Sequence, residues 1–224
     1  MRKASVRARR AIASALAGLV GASAIPRLVT LMTRPAQKLP VPTHLASFAK
    51  GDDGARVLQV VVETARGGRN KMAYDEELGV FRLKKVLPEG MSFPYDFGFV
   101  PSTRGGDGDP IDALVLMDEP GTTGCLVACR LIGVILGEQK AKRERCRNDR
   151  LVAVAVPSHT HADLRHVHDL NESLLSELEK FFVNYHAEYG EQFRVLGCKG
   201  PRAAWRLVDT GNKKWRKARR RGSA

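Results

Sequence analysis

The sequence predicts an α+β protein, in which a small β-barrel of five to six strands is flanked by two C-terminal helices. Short runs rich in β-branched residues recur between residues 57 and 156, and turn residues separate them. After residue 170, the apolar residues change to a helical spacing. The chain has 224 residues, of which 43% are hydrophobic, enough for one sizeable core. A barrel is expected because closing the sheet leaves few exposed strand edges.

The predicted strands follow one another along the chain at residues 57–63, 71–74, 80–86, 111–117, 125–136 and 151–156. Gly133 interrupts the fifth run, where it predicts a β-bulge. Residues 137–150 are dominated by charged side chains, and we predict a mobile loop there.

Two helices are predicted after the strands. Leu174, Leu178, Phe181 and Tyr185 recur at helical spacing, with Asn171 as the expected N-cap. Gly190 is placed to end this helix. A shorter helix is predicted from residue 201 through Val208.

The positive charge lies mainly at the two ends of the chain. The formal net charge is +13, but residues 1–50 hold nine Lys or Arg and residues 213–224 hold seven, both without an acidic residue. The remainder is mildly acidic, so the organisation predicted is a basic N-terminal extension (residues 1–52), one domain (53–210) and a basic tail (211–224). Such tails suit contact with nucleic acid or another polyanion, although this is not the favoured interpretation.

The N-terminal extension leaves the compartment open. Residues 1–10 are cationic, an apolar stretch follows, and residues 22–24 match an A-x-A cleavage site, so residues 1–24 fit an export leader or an organellar transit peptide. A start at Met32 is the third alternative. The four cysteines are too few and scattered for a disulfide framework, which favours a cytoplasmic protein. No run of about 18 apolar residues is present, which argues against a membrane span.

Residues 105–112, GGDGDPID, are the most informative stretch. Asp107, Asp109 and Asp112 place three carboxylates within six residues, and such a cluster needs a cation to offset its repulsion. Oxygen ligands favour Mg²⁺ or another hard divalent ion. An EF-hand is excluded, because its helices and its final Glu are missing. A site of this kind calls for a substrate with phosphate oxygens.

Together with their neighbours, these residues resemble the soluble, Mg²⁺-dependent inorganic pyrophosphatase family. The family motif D-G-D-P-(I/V/L)-D is matched by residues 107–112, and residues 93–101, FPYDFGFVP, resemble the family's Y-P-x-N-Y-G-F-I-P. Residues 151–157, LVAVAVP, and 166–182, HVHDLNESLLSELEKFF, resemble two further stretches in the family's order. The resemblance covers about two thirds of the chain and implies an OB-like barrel, hydrolysis of pyrophosphate to two orthophosphates, and a homo-oligomer.

The resemblance also implies roles for individual residues. Asp109 would be the catalytic group that orients or deprotonates the attacking water. The metal ligands would be Asp107, Asp112 and Glu63, and the phosphate-binding residues would be Lys71, Lys85, Arg150 and Tyr185. Two or more Mg²⁺ ions are implied, with Mn²⁺ or Zn²⁺ as substitutes.

Several positions depart from the family pattern. Lys85 replaces an Arg and Phe97 replaces a Tyr. Gln139 and Asn148 stand where the family has metal-binding Asp residues, and the adjacent Asp149 is the candidate to restore one ligand. These changes indicate a divergent branch.

Two other functions remain open from the sequence alone. One is a Mg²⁺-dependent phosphohydrolase acting on a different phosphoanhydride. The other is an inactive OB-barrel protein that binds nucleic acid through its basic ends.

Overall fold

The computed structural model describes residues 41–141 and 144–222. The predicted leader at residues 1–24 and the alternative start at Met32 lie outside these ranges. The compact unit that contains the barrel begins at Pro40. Neither helix in the two described ranges has the uninterrupted apolar length that a lipid bilayer requires.

The described residues contain ten strands and two long helices. In chain order these are β1 (Phe48–Lys50), β2 (Arg56–Thr64), β3 (Asn70–Asp75), β4 (Val80–Val86), β5 (Asp96–Val100), β6 (Ile111–Leu116), β7 (Leu126–Ala141), β8 (Glu144–Arg147), β9 (Arg150–Ala155), α1 (Glu172–Ala187), β10 (Gln192–Lys199) and α2 (Pro201–Gly222). Short 3-10 turns lie at Pro42–His44 and Val167–Asp169.

Five of the strands pair in a ring, which confirms the predicted small barrel. The order is β2, β5, β6, β9 and β7, and β7 pairs with β2 again. Only the β6–β9 pairing is parallel in this ring. The other strands extend the barrel: β1 pairs with β2, β8 and β10 pair with β7, and β3 and β4 form a separate hairpin.

Each of the six predicted strands is present with shifted ends, and the bulge at Gly133 is confirmed by the register shift between Leu131 and Gly133. Apolar side chains explain their positions, because β6 and β9 are buried along almost their whole length. The sequence analysis did not identify β1, β5, β8 or β10.

The prediction of a mobile loop at 137–150 is wrong. Strand β7 continues to Ala141 and forms a hairpin with β8, in which Glu138 lies opposite Arg147 and Gln139 opposite Cys146. Charged side chains are tolerated on this hairpin because many of them face solvent, and Glu138 lies 3.4 Å from both Arg145 and Arg194. The hairpin is therefore ordered sheet that carries part of the site described below.

Helix α1 has the predicted boundaries. The Asn171 side chain accepts a hydrogen bond from the Ser173 amide at 2.8 Å, and Gly190 follows the helix with a φ of 70°. Leu178 and Phe182 are fully buried against the strands.

Helix α2 is longer than predicted, since it continues past Val208 to Gly222. Ala204 and Val208 pack into the barrel core. Gly211 keeps the helix close to the barrel, because a Cβ there would lie 2.6 Å from Ile111 Cδ1 and 3.3 Å from the Arg104 nitrogen. Asn212 accepts a hydrogen bond from Ser47 at 2.9 Å and donates one to the Ser102 carbonyl at 2.9 Å. These contacts outweigh the low helix propensity of Gly and Asn.

Candidate functional site

A cavity of about 800 Å³ brings together nearly all of the predicted site residues. Strands β2, β3, β4, β6 and β9, the loop before β6, and helix α1 each contribute to its lining. The predicted residues that line it are Glu63, Lys71, Lys85, Asp107, Asp109, Asp112, Arg150 and Tyr185. Residues far apart in the sequence are therefore gathered at one side of the barrel.

Residues 105–109, which we call the acidic loop, precede strand β6. The Gly105 amide donates a hydrogen bond to the Asp109 carbonyl at 2.7 Å, and the Asp109 amide donates one to Asp107 Oδ1 at 3.2 Å. These bonds fold the loop into a tight turn. Asp112 follows as the second residue of β6, so its side chain is held by the sheet.

Burial and mutual repulsion disfavour the charged forms of two carboxylates in this region. Partial withdrawal from water and the nearby Asp112 carboxylate raise the pKa of Asp107 to about 6. Burial also raises the pKa of Asp112, while Arg150 opposes that shift. A bound cation would favour the charged forms again, and oxygen donors of this kind suit a hard divalent cation. Within the described ranges, no group of three or more Asp, Glu, His or Cys side chains is already arranged to hold a metal ion.

Glu63 and Lys71 form a close pair on β2 and β3. Lys71 Nζ lies 2.8 Å from Glu63 Oε2, and the Tyr74 amide donates to Glu63 Oε1 at 3.0 Å. The Lys71 ammonium also lies 4.3 Å from the centre of the Phe97 ring. Phe97 thus stabilises a cation of the site through its ring face, without the hydroxyl that a Tyr would add.

Lys85 and Tyr185 lie together at another part of the cavity. Lys85 Nζ is 5.7 Å from the centre of the Tyr185 ring and 3.5 Å from that of Tyr189. Burial lowers the pKa of Lys85 and raises the pKa of Tyr185. The Tyr185 hydroxyl therefore keeps its proton at neutral pH and can donate a hydrogen bond to an anion.

In the same cavity, five residues form a hydrogen-bonded network, which we call the hydrogen-bonded wall: Gln139, Asn148, Arg150, His186 and Glu191. Arg150 donates to Asn148, and Asn148 donates to Gln139. Gln139 donates to Glu191 Oε2 at 2.9 Å, and His186 Nδ1 lies 2.8 Å from the same oxygen. Two atoms of the wall stay outside this chain of bonds, because Arg150 Nε and His186 Nε2 are buried without a hydrogen-bond partner within the described ranges.

Arg150 connects the hydrogen-bonded wall to Asp112. The two residues are direct partners in the parallel β6–β9 register, and Arg150 Nη1 lies 2.8 Å from Asp112 Oδ2. The Arg150 side chain is only 4% exposed, so its charge depends on this pair for compensation. The same arginine lines the cavity.

Asp149 is the one predicted site residue that does not line this cavity. Its carboxylate accepts hydrogen bonds from the Gly137 amide, at 3.0 Å, and from Arg147. It lines instead a smaller cavity of about 290 Å³ on the far side of the acidic loop.

The sequence analysis missed several lining residues, above all Glu191, His186 and Trp215. Glu191 stands directly after Gly190, the predicted end of α1, and a lone acid in a turn carries no local signal. His186 lies one residue beyond Tyr185 and is not one of the apolar residues whose spacing predicted α1.

The fold and the site define a hydrolase that acts on a phosphate-bearing anion, because a carboxylate loop faces lysine, arginine and tyrosine across one cavity. The family model for inorganic pyrophosphatase matches residues 60–216. The inorganic pyrophosphatase of Thermus thermophilus is 34% identical over 164 residues, which cover 72% of this chain and 91% of that protein. The corresponding protein of Streptomyces coelicolor is 39% identical over 126 residues, covering 56% and 75%.

Solved structures agree with these relatives. The crystal structure of inorganic pyrophosphatase from Thermus thermophilus matches with a TM-score of 0.70 and 30% identity, over 79% of this chain and 99% of that one. The enzyme from Helicobacter pylori matches with a TM-score of 0.68 and 29% identity, over 80% and 99%. The chain belongs to the inorganic pyrophosphatase family.

Proposed function

We propose that this chain hydrolyses inorganic pyrophosphate to two orthophosphates with the help of divalent cations, Mg²⁺ in the first place. The observation that carries the proposal is the single cavity in which the acidic loop faces Lys71, Lys85 and Arg150. Pyrophosphate is small and highly charged, and a site with carboxylates for cations and basic side chains for phosphate oxygens suits it.

The metal ions would be held by Asp107, Asp112 and Glu63. Bound Mg²⁺ would neutralise phosphate charge and lower the pKa of a water molecule. Asp149 stays a weaker candidate ligand, because its carboxylate would have to leave the Gly137 amide and Arg147. Two or more ions are expected, with Mn²⁺ or Zn²⁺ as substitutes.

Asp109 would accept the proton of the attacking water, since its carboxylate lines the cavity beside the metal-binding residues. Lys71, Lys85, Arg150 and Tyr185 would hold and orient the phosphate oxygens. The Lys85 and Tyr185 side chains lie next to each other, so they would contact neighbouring oxygens of the same phosphate. The homo-oligomer and the cytoplasmic location stay predictions.

The test is phosphate release from pyrophosphate by the full chain, with Mg²⁺ titrated, beside the Asp109→Asn variant. Loss of the base is expected to lower kcat by about 10²- to 10⁴-fold. Asp163→Asn, a change at an exposed Asp outside the cavity, is the matched control and should retain wild-type kcat. Metal-independent turnover, or an equal effect of both substitutions, would overturn the assignment.

A further inference from the structure

The last two turns of α2 present basic side chains to the acidic loop from outside the catalytic cavity. Lys214, Lys217 and Arg221 are spaced by three and four residues, so they lie on one face of the helix. With Arg104 and residues 105–108, they line a second groove of about 430 Å³, which we call the basic groove.

The basic groove adjoins the catalytic cavity. Arg104, Asp107, Gly108 and Ala218 line both. An anion that enters the catalytic cavity past the acidic loop therefore meets the basic groove directly, without crossing an intervening element.

The position of this face is fixed by the rest of the helix. Asn212 is hydrogen-bonded to Ser47 and Ser102, and the Arg104 amide donates to the Gly211 carbonyl at 3.1 Å. One turn further on, the rings of Trp215 and His44 meet edge to face at 5.7 Å. These contacts hold the backbone that carries Lys214 and Lys217, so the groove is a preorganised surface.

The helix cations of the groove form no ion pair with the part of the chain that the structure describes. In residues 41–141 and 144–222, none of the ion pairs within 4.0 Å involves Lys214, Lys217 or Arg221. The carboxylate that lines the groove is Asp107, a proposed metal ligand. Four basic side chains around one carboxylate leave a local excess of positive charge that a phosphate would offset.

We propose that the basic groove is an anion subsite that holds the distal phosphate of a chain longer than pyrophosphate, such as inorganic tripolyphosphate, while one anhydride bond lies in the catalytic cavity. This inference rests on the proposed hydrolysis of pyrophosphate at the same site. A phosphate chain fits better than a nucleic acid, because the groove is small and leads into the carboxylate-lined cavity.

The added reaction is the hydrolysis of tripolyphosphate to pyrophosphate and orthophosphate. The water oxygen bonds to the phosphorus in the cavity, the bridging P–O bond breaks, and the departing phosphate takes the electron pair. Asp109 accepts the proton from water. No further reactant is needed, and the pyrophosphate formed is itself a substrate of the site.

Two triple variants of the full chain test the subsite at equal charge. The first, Lys214→Gln/Lys217→Gln/Arg221→Gln, empties the groove of its helix cations. The control, Lys213→Gln/Arg216→Gln/Arg220→Gln, removes the same charge from exposed positions that do not line the three cavities. Binding of tripolyphosphate is measured by calorimetry in EDTA, and kcat/KM is measured with Mg²⁺ for tripolyphosphate and pyrophosphate.

The groove variant is expected to bind tripolyphosphate about tenfold more weakly, as three screened ionic contacts would contribute. The kcat/KM for tripolyphosphate, divided by that for pyrophosphate, should fall by a similar factor in the groove variant. In the control variant, the affinity for tripolyphosphate and this ratio should each change by less than about threefold. Equal losses in both variants, with tight binding of a single-stranded oligonucleotide, would overturn the subsite in favour of a diffuse polyanion surface.

Two further outcomes separate the two proposals. Relief of orthophosphate inhibition in the groove variant, without loss of tripolyphosphate binding, would assign the groove to free orthophosphate and overturn the distal-phosphate inference. Wild-type protein that binds tripolyphosphate in EDTA but does not hydrolyse pyrophosphate would overturn the proposed function, whereas the binding difference between the variants would still support the groove.

Discussion

The acidic loop and the hydrogen-bonded wall line one cavity, and their charged groups are compensated in different ways. In the loop, burial and the nearby Asp112 carboxylate raise the pKa of Asp107, and Arg150 opposes that shift only in part. In the wall, Arg150 is paired with Asp112, and Gln139, Asn148 and Glu191 are bound to one another. The comparison indicates that the carboxylates of the loop need a bound cation, whereas the wall already contains a cation, the Arg150 guanidinium.

Removing the wall's own cation should have the largest effect. In Arg150→Met, Asp112 loses its partner in a partly buried position, and the free energy of unfolding should fall by about 3 kcal/mol or more. Urea denaturation in EDTA measures this. Arg147→Met is the matched control, since Arg147 is 47% exposed, and its loss should cost less than about 1 kcal/mol. An equal loss of unfolding free energy in both variants would mean that the Arg150–Asp112 pair is not important for stability.

Converting the wall into a second acidic surface would break the comparison directly. In Gln139→Asp/Asn148→Asp, two new carboxylates join Glu191 and Asp112, so the protein should lose about 1–3 kcal/mol of stability in EDTA through repulsion. Added Mg²⁺ should restore more stability than it gives the wild type, because ions that bind only the folded state stabilise it. Thermal unfolding with and without Mg²⁺ measures this gain in stability. An equal gain in the variant and the wild type would contradict the interpretation.

A contact between the acidic loop and strand β8, the strand that precedes Asn148 of the wall, offers a sharper test. A Cβ on Gly106 would lie 2.5 Å from the Arg147 carbonyl oxygen, so Gly106→Ala should push the acidic loop away from β8. We expect a loss of about 1–2 kcal/mol in stability and a weaker apparent affinity for Mg²⁺ in the activity assay. Reduced stability with an unchanged Mg²⁺ dependence would show that the loop holds its shape without β8.

The smallest expected effect concerns His186 at the end of the wall, near Glu191, Arg150 and Lys85. Burial lowers the pKa of His186, so the folded state binds its proton less readily than the unfolded state. Stability from this group is complete above the unfolded pKa of about 6.5 and is lost as the pH falls below it. His186→Gln should flatten the decline in unfolding free energy between pH 7 and pH 5 by up to about 1 kcal/mol. Parallel pH curves would exclude this role.

The acidic loop could be predicted from the sequence, whereas most of the hydrogen-bonded wall could not. The acidic loop and residues 110–112 are contiguous, so Asp107, Asp109 and Asp112, with the glycines and Pro110 between them, could be identified together. The hydrogen-bonded wall depends on strand register: Gln139 meets Asn148 through the β7–β8 hairpin, and Glu191 arrives from beyond α1. Register is set by long-range pairing, which a local pattern does not contain.

The wrong loop at 137–150 and the short prediction for α2 have related causes. Beyond Gly137, the residues of β7 are mostly charged or polar and do not show the alternation of apolar and polar residues typical of a strand. They form a strand because they pair with β8 and β10. The stretch from Asp209 to Asn212 reads as the end of a helix, yet Gly211 and Asn212 make the contacts that let α2 continue. In both places tertiary contacts override local propensity.

Strand β7 also constrains the order in which the molecule can form. Its 16 residues pair with β2, β8, β9 and β10, so it belongs to the ring and to the extension that supports the hydrogen-bonded wall. The ring needs nothing after Ala155, whereas His186, Glu191 and the helix side of the basic groove come from later residues. We therefore expect the barrel to be able to assemble early in folding and the catalytic cavity to be completed last, when β10 and α2 dock onto a scaffold that already exists.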